Sequence, residues 1–378
     1  MNRLNLISAS TAARYSNRNL VQITSLAFLV LSGFPARGQA PLSKVEKPRR
    51  LIEFGWDEPD TNFLRNHLAE MEESPFDGCV FHAMADSVDS KSENFAWKFW
   101  GRRAFVQADL VHARADLEAT RPKRFRSNFL RVNTAPADID WFDDFAPVLA
   151  NARLAGRLVA AGRCGGILLD TEQYEGQLFD FKKQGGAKAH GWMAYTEQCR
   201  KWGRNLMEAF QEGCPDVTVL LTFGPSLVSK QTVQGKISAR DVPYGLLLPF
   251  IEGMNLGLRG RSTLVDGHEM SYGYKEPKQF DQALGSIRLA KPKLSAGFGL
   301  WLDYNWPEKG WDVESPSRNY FTPEGFEVSL RAALERSDDI VWIYTETPRW
   351  WTAKGQSEKL PKPYVDAIRR ARLGLASD

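Results

Sequence analysis

The chain has 378 residues, 43% of them hydrophobic and 25% charged, with a formal net charge of +3. Residues 1–40 hold Arg3, Arg14, Arg18 and Arg37 and no acid, so the remainder of the chain has a net charge of 3 − 4 = −1. A nearly neutral body with only short basic runs lacks the electrostatic footprint of a nucleic-acid binder, and nucleic acid is not an expected partner.

The first forty residues combine those arginines with an apolar run from Ile23 to Leu31 and small residues up to Ala40, which reads as an export signal. The run falls far below the roughly 20 residues a spanning helix needs, so no stable membrane anchor is expected. Residues 1–40 are therefore read as a signal peptide, 41–47 as a linker and 48–378 as one domain, with a secreted or periplasmic location. The four cysteines, Cys79, Cys164, Cys199 and Cys214, form no CxxC pair, and the five histidines never sit at i, i+2 or i, i+4. This spacing gives no metal motif and no cofactor is expected, which disfavours a metal-dependent hydrolase. Oligomeric state has no sequence signal.

From residue 50 onward strand and helix signals alternate. The first strand is Leu51 to Trp56, followed by Asp60 as a helix cap and an apolar face of Phe63, Leu64, Leu68 and Met71. The second is Gly78 to Ala83. Residues 84–127 are too long for a simple connection and form an expected excursion over one end of the fold. The third strand is Phe129 to Asn133, followed by a helix from about Phe145 to Ala161, and the fourth is Gly166 to Glu172. Trp192, Tyr195, Cys199, Trp202 and Leu206 then recur in steps of three and four, the pattern of a helix with one buried face, stopped by Gly213. The fifth strand is Val217 to Phe223, the sixth Thr263 to Glu269, the seventh Leu294 to Asp303 and the eighth Ile340 to Glu346. Helices near Tyr244 to Met254, Gln279 to Ala290 and Pro323 to Arg336 precede the last three, and a final one runs from Pro363 to Leu373. Eight such units predict a (β/α)8 TIM barrel. An open doubly wound sheet is the alternative, but the first strand ends in Gly55-Trp56-Asp57-Glu58-Pro59, with no glycine-rich phosphate turn.

Barrel enzymes work at the carboxyl ends of their strands. On the fourth strand, alternation puts Leu168, Asp170 and Glu172 on one face, so a Leu168 that points into the barrel carries both acids into its mouth. Close like charges keep one carboxyl protonated, which makes Glu172 the expected proton donor and Asp170 its tuner. Cleavage of a glycosidic bond needs a second carboxylate. Glu269 is ranked first for this role and Asp303 second, with Glu346 a third strand-end acid. Expected substrate contacts are Trp56, Asp57, His82, Asn133, Tyr174, His268, Tyr272, Trp301, Trp342, Tyr344 and Glu346. Twelve Trp remain after residue 40, with Trp306, Trp350 and Trp351 also near the expected mouth, and indole faces suit the apolar C–H face of a sugar ring.

The fourth strand resembles the chitinase-family pattern DGxDxDxE, whose last Asp and Glu fall on Asp170 and Glu172. The same resemblance implies that Tyr272, in Met270-Ser271-Tyr272, assists the substrate and that Trp342 floors the pocket. Gly165 and Leu168 stand where that pattern has acids, so the likeness is kept at the level of TIM-barrel glycoside hydrolases. The expected function is hydrolysis of a glycosidic bond in a poly- or oligosaccharide by carboxylate acid/base chemistry. The alternative is a non-catalytic barrel that binds carbohydrate.

Overall fold

The computed structural model describes residues 49–86, 92–234, 236–305, 308, 310–351 and 360–374. The stretch read as a signal peptide, the linker and Trp306 lie outside these residues. Eight parallel strand positions alternate with helices around a closed barrel. In chain order they are β1 (Arg50–Gly55), α1 (Thr61–Met71), β2 (Gly78–Phe81), α2 (Val111–Ala119), β3 (Phe129–Asn133), α3 (Ala146–Gly162), β4 (Gly166–Asp170) and α4 (Ala187–Gly213). They continue as β5 (Thr218–Leu221), α5 (Leu247–Gly257), β6 (Thr263–Asp266), α6 (Pro277–Leu289), β7 in two pieces (Ser295–Ala296 and Phe298–Trp301), α7 (Pro323–Arg336), β8 (Ile340–Thr345) and α8 (Lys362–Leu373). The protein is a (β/α)8 TIM barrel, as the alternation of signals predicts.

Local chemistry sets the expected boundaries. The Asp60 carboxylate accepts a hydrogen bond from the Phe63 N–H at the start of α1, and the Thr322 hydroxyl caps α7 ahead of Pro323. β7 departs from the continuous strand expected over Leu294 to Asp303. Its first piece pairs with β6 and its second with β8, so the break at Gly297 is where the barrel closes. The excursion after β2 holds a small antiparallel pair, Met84–Ala85 with Glu93–Asn94, then a one-turn helix, Phe95–Lys98, ahead of α2.

Two apolar layers follow from strand alternation. Outward side chains such as Leu51, Leu130, Leu169, Leu221 and Ile343 pack under the helices. Inward ones, Ile52, Phe54, Val80, Phe129, Leu168, Leu220, Val265, Ile340 and Trp342, fill the barrel. The indole of Trp342 is the bulkiest of the inward set and needs room across the barrel. Gly299 on β7 supplies it, because a Cβ there would meet the Trp342 ring at 2.6 Å.

Gly299→Ala therefore forces Trp342 out of its seat and is expected to lower stability by about 1–3 kcal/mol, the usual cost of overpacking a core. Denaturant unfolding monitored by tryptophan fluorescence checks this, and an unchanged midpoint with an unchanged emission spectrum would contradict it.

Candidate active site

The inward faces of the strands end in an aromatic floor. Trp342 lies at its base, with its Nε1 donating to the Gly267 carbonyl at 2.9 Å, and meets Phe54 at 5.7 Å and Tyr272 at 5.2 Å between ring centroids. Tyr272 stacks on Tyr344 at 5.4 Å, and Trp301 meets both edge-on at 5.9 and 5.8 Å. Such pairs contribute about 0.5–1.5 kcal/mol each beyond their buried area, so the floor is stiff. At the rim, Trp56 is 53% exposed and donates its Nε1 to the Tyr344 hydroxyl at 3.0 Å, while that hydroxyl donates to Glu346 Oε1 at 3.3 Å.

One wall is a chain of charges. His82 Nδ1 lies 3.2 Å from Glu58 Oε1, Arg131 Nη1 lies 2.9 Å from Glu58 Oε2, and Arg131 Nη2 lies 2.7 Å from Asp170 Oδ2. Asp170 also accepts from the Tyr174 hydroxyl at 2.9 Å, the Thr222 hydroxyl at 3.2 Å and the Glu172 N–H at 3.2 Å. Burial pushes the Glu58 carboxyl up, but Arg131 and His82 outweigh it and hold the group below the ordinary carboxylate range. Burial likewise opposes the charge on Arg131, and Glu58 and Asp170 more than offset it. The guanidinium lies over the rings of Phe54 and Trp97, each centroid 5.1 Å away, and Trp97 in turn meets Tyr174 at 4.9 Å. The excursion after β2 thus delivers Trp97 to the mouth.

Glu172 and Glu269 complete the mouth. The first lies two residues beyond Asp170, just past the end of β4. The second reaches the mouth by a route alternation does not foresee. His268 adopts φ +43°, a left-handed conformation that breaks the strand before the short turn Glu269–Ser271. The break sends His268 behind the wall and Glu269 into the mouth. Burial raises the Glu172 carboxyl, the charge of Asp170 adds to it, and Tyr174 and Arg131 oppose. Burial also raises Glu269, to a greater extent, with the charges of Glu172 and Asp170 adding and only Arg131 opposing. The charge of Glu172 acts on Glu269, so the two do not lose their protons independently.

Several expected site residues have other work. His268 is buried against Phe298 and Tyr274, its Nδ1 lies 3.0 Å from the Ser226 hydroxyl, and burial with Lys230 nearby pushes it down to about 3. It is no substrate contact. Asp303 accepts from Trp301 Nε1 at 2.8 Å and from the N–H groups of Glu346 at 3.1 Å and Thr347 at 2.8 Å, so it tethers the floor to the loop after β8 and is not a second reacting carboxylate. Asp57 turns away to accept the N–H groups of Trp350 at 2.6 Å and Trp351 at 3.1 Å. Trp342 is fully buried beneath Tyr272, a floor under the pocket and not part of its lining. Asn133 faces inward in register with Asp170 but is fully covered. Asp170, Glu172, Glu269, His82, Tyr174, Tyr272, Trp301, Tyr344, Glu346 and Trp56 do come together at the carboxyl ends of the strands.

Sequence reasoning missed Arg131, Trp97 and Thr222, and named Glu58 only as a strand-end acid. Arg131 had a signal: it shares the inward face of β3 with Phe129 and Asn133, and a cation inside a barrel must find anions. Among the described residues no group of three or more His, Cys, Asp or Glu side chains converges to hold a metal ion, and no helix is long and apolar enough to cross a membrane. The four cysteines are free.

Among solved structures the chain is similar to a GH5-4 broad specificity endoglucanase from an uncultured bacterium, with TM-score 0.51 and 10% identity over 84% of this chain and 86% of that one. It is also similar to a GH18 chitinase from Pseudoalteromonas aurantia, with TM-score 0.41 and 11% identity over 85% and 99% of the two chains. An endonuclease IV from Thermus thermophilus matches with TM-score 0.39 and 13% identity over 87% and 100%. The chain shares the barrel fold of the endoglucanase. At such identity the likeness is one of fold, and the reaction must be argued from the site. No family model matches the chain, and no curated protein matches it.

Arg131→Met leaves Glu58 and Asp170 buried without their cation and is expected to cost about 3–5 kcal/mol of stability. A loss below about 1 kcal/mol in urea unfolding would show that the chain of charges is not held through Arg131. A second carboxyl is open to test on β1. Glu53 is fully buried beside Asp57, and burial with that neighbour raises it well above the ordinary Glu range. Such a group favours the folded protein while protonated, and the contribution is lost as pH rises through its raised folded value. Glu53→Gln keeps the shape and removes the titration, so its melting temperature should exceed that of the native protein at about pH 8 and match it at about pH 4. A difference independent of pH would contradict this.

Proposed function

We propose that this protein is a glycoside hydrolase that cleaves a glycosidic bond in a poly- or oligosaccharide by carboxyl acid/base chemistry, and that it acts outside the cytoplasm after export through residues 1–40. The observation that carries the reading is the pair Glu172 and Glu269, both raised and the second within reach of the first one's charge, above a floor of aromatic faces. A proton held near neutrality and a carboxylate beside it are what the reaction uses. The acid gives its proton to the bridging oxygen as the bond from that oxygen to the anomeric carbon breaks. The carboxylate then stabilises the positive charge that develops on the sugar ring, by attack on the anomeric carbon or by taking a proton from the attacking water.

The sequence makes Glu172 the donor. The Tyr174 hydroxyl and Arg131 both oppose the upward push on Glu172, while Arg131 alone opposes it on Glu269, and on that ground Glu269 is taken as the donor and Glu172 as its partner. Asp170 supports the pair without reacting, since its oxygens already accept four hydrogen bonds. Tyr272, Trp301, Tyr344 and Trp56 offer the surfaces on which sugar rings stack.

The test is release of reducing ends from a polysaccharide panel by the chain lacking residues 1–40. Glu172→Gln and Glu269→Gln should each lower turnover by at least about 10²-fold while the fold is kept. The native rate should peak at a pH between the two proton losses of the pair and fall on both sides. Glu269→Gln should recover on aryl glycosides whose leaving group needs no proton, and Glu172→Gln should not. The reverse pattern returns the donor role to Glu172. Saturable glycan binding with no turnover on any member of the panel would make the protein a binding barrel and end the hydrolase reading.

A further inference from the structure

The mouth takes up the carboxyl ends of the strands, so the opposite end of the barrel is made of the loops that lead from each helix into the next strand. That end is basic. The loop from α2 to β3 carries Arg121, Lys123, Arg124 and Arg126, all exposed, with no acid between residues 119 and 128. The Ser127 N–H donates to the Asp77 carbonyl and the Gly165 N–H to the Asn128 carbonyl, both at 2.8 Å, so the loops after α1 and α3 pack against it. They add Arg163 and the acids Glu72, Glu73 and Asp77. Arg372 on α8 closes on Asp77 at 2.7 and 2.9 Å, and Glu72 accepts the N–H groups of Lys123 and Arg124 at 2.6 and 2.9 Å. Six cations therefore stand beside three carboxylates, two of which are already engaged.

The other acids of this end do not offset the excess. Asp216, Asp338 and Asp339 in the remaining loops, and Glu118, Glu212 and Glu335 at the helix ends, are each paired with an arginine outside the six. Lys291 and Lys293, on the loop from α6 to β7, add two exposed cations where no acid lies between residues 282 and 302.

A second, independent observation comes from apolar side chains. The two most exposed leucines among the described residues, Leu289 at 85% and Leu373 at 68%, are the last residues of α6 and α8 and so lie at this same end. Leu289 precedes Lys291 and Lys293, and Leu373 follows Arg372. Leucines that stand among exposed cations suit the boundary of an anionic bilayer, where the apolar side chain enters the acyl region and the charges meet the headgroups. A polyanion in solution draws on the charges alone. An adsorbed barrel also turns its mouth away from the surface, which suits a support that is not itself the substrate.

We propose that the basic end of the barrel adsorbs reversibly to anionic lipid headgroups and holds the mouth toward the solution. The contact is peripheral and needs no spanning segment.

Binding of the full chain to vesicles of phosphatidylcholine, with and without phosphatidylglycerol, is read by sedimentation. All variants keep residues 1–48, so a difference among them reads the barrel. The native chain should favour the anionic vesicles at least about tenfold, and the preference should fall as salt rises. Lys123→Glu combined with Arg126→Glu should lower binding to the anionic vesicles at least about tenfold. Lys182→Glu combined with Lys183→Glu makes the same change in net charge at the mouth end, in the loop after β4, and should leave binding within about twofold. Leu289→Ser should weaken binding with the far-ultraviolet spectrum unchanged. Equal losses in the two double variants, unaltered binding of Leu289→Ser, or equal binding of the native chain to neutral vesicles overturns the proposal. A DNA duplex that binds more tightly than the anionic vesicles, and is lost with Lys123 and Arg126, overturns it as well and makes this end a polyanion site. Sedimentation reads no turnover, so its outcome is separate from that of the hydrolase reading.

Discussion

A guanidinium inside the barrel is the constraint on which the site depends. Arg131 leaves β3 on the inward face, where its neighbours in the interior are Phe54, Phe129 and Leu168, and where an unpaired charge would be expensive. It is kept there by two carboxylates from opposite sides, Glu58 from the loop after β1 and Asp170 from β4, and by two aromatic faces. Because each partner also bonds a further group, His82 beyond Glu58 and Tyr174 beyond Asp170, one side chain links the loops that follow β1, β2 and β4. The carboxylates that meet Arg131 are thereby neutralised and hydrogen-bonded. The two that do not, Glu172 and Glu269, are instead raised by burial and by the charges of neighbouring carboxylates.

The floor answers a different problem, that of filling a barrel whose upper end must stay open. Trp342 spans the interior where Gly299 leaves room, and Tyr272, Tyr344 and Trp301 close the layer above it. Asp303 then fixes the Trp301 indole and the two N–H groups that follow β8 with one carboxylate. This explains why an acid at the end of a strand need not react. A carboxylate with three donors aimed at it has its lone pairs committed, and its chemistry is positional.

The same distinction marks what was legible in the sequence. The alternation of signals gave the barrel, and the parity of β4 and β8 carried Asp170, Trp342 and Tyr344 inward, since period-two geometry holds as long as the strand is regular. It failed where the strand stopped. β6 ends at Asp266, three residues before the expected end, and the left-handed His268 reverses the sides on which His268 and Glu269 emerge. A histidine offers no cue to a left-handed backbone comparable to that of glycine, so Glu269 was ranked first for its setting in a polar run, without the geometry that delivers it. Asp57 and Asp303 were misread because backbone N–H groups from the loop after β8 claim them, and a sequence displays no backbone partners. Arg131 was readable from parity and was passed over because attention went to acids.

The arrangement is internally consistent as a device for holding one proton. The charge of Asp170 raises Glu172, and the guanidinium and three neutral donors hold the Asp170 carboxylate in place beside it. Arg131 also acts directly on Glu172 and Glu269 and opposes their protonation, yet burial and the mutual repulsion of the carboxylates outweigh it at both. The guanidinium therefore has two effects of opposite sign on the reacting pair: a direct attraction that favours their charged forms, and an indirect one, through Asp170, that favours the protonated form. The second requires the hydrogen-bonded geometry of the wall, and the first requires only proximity.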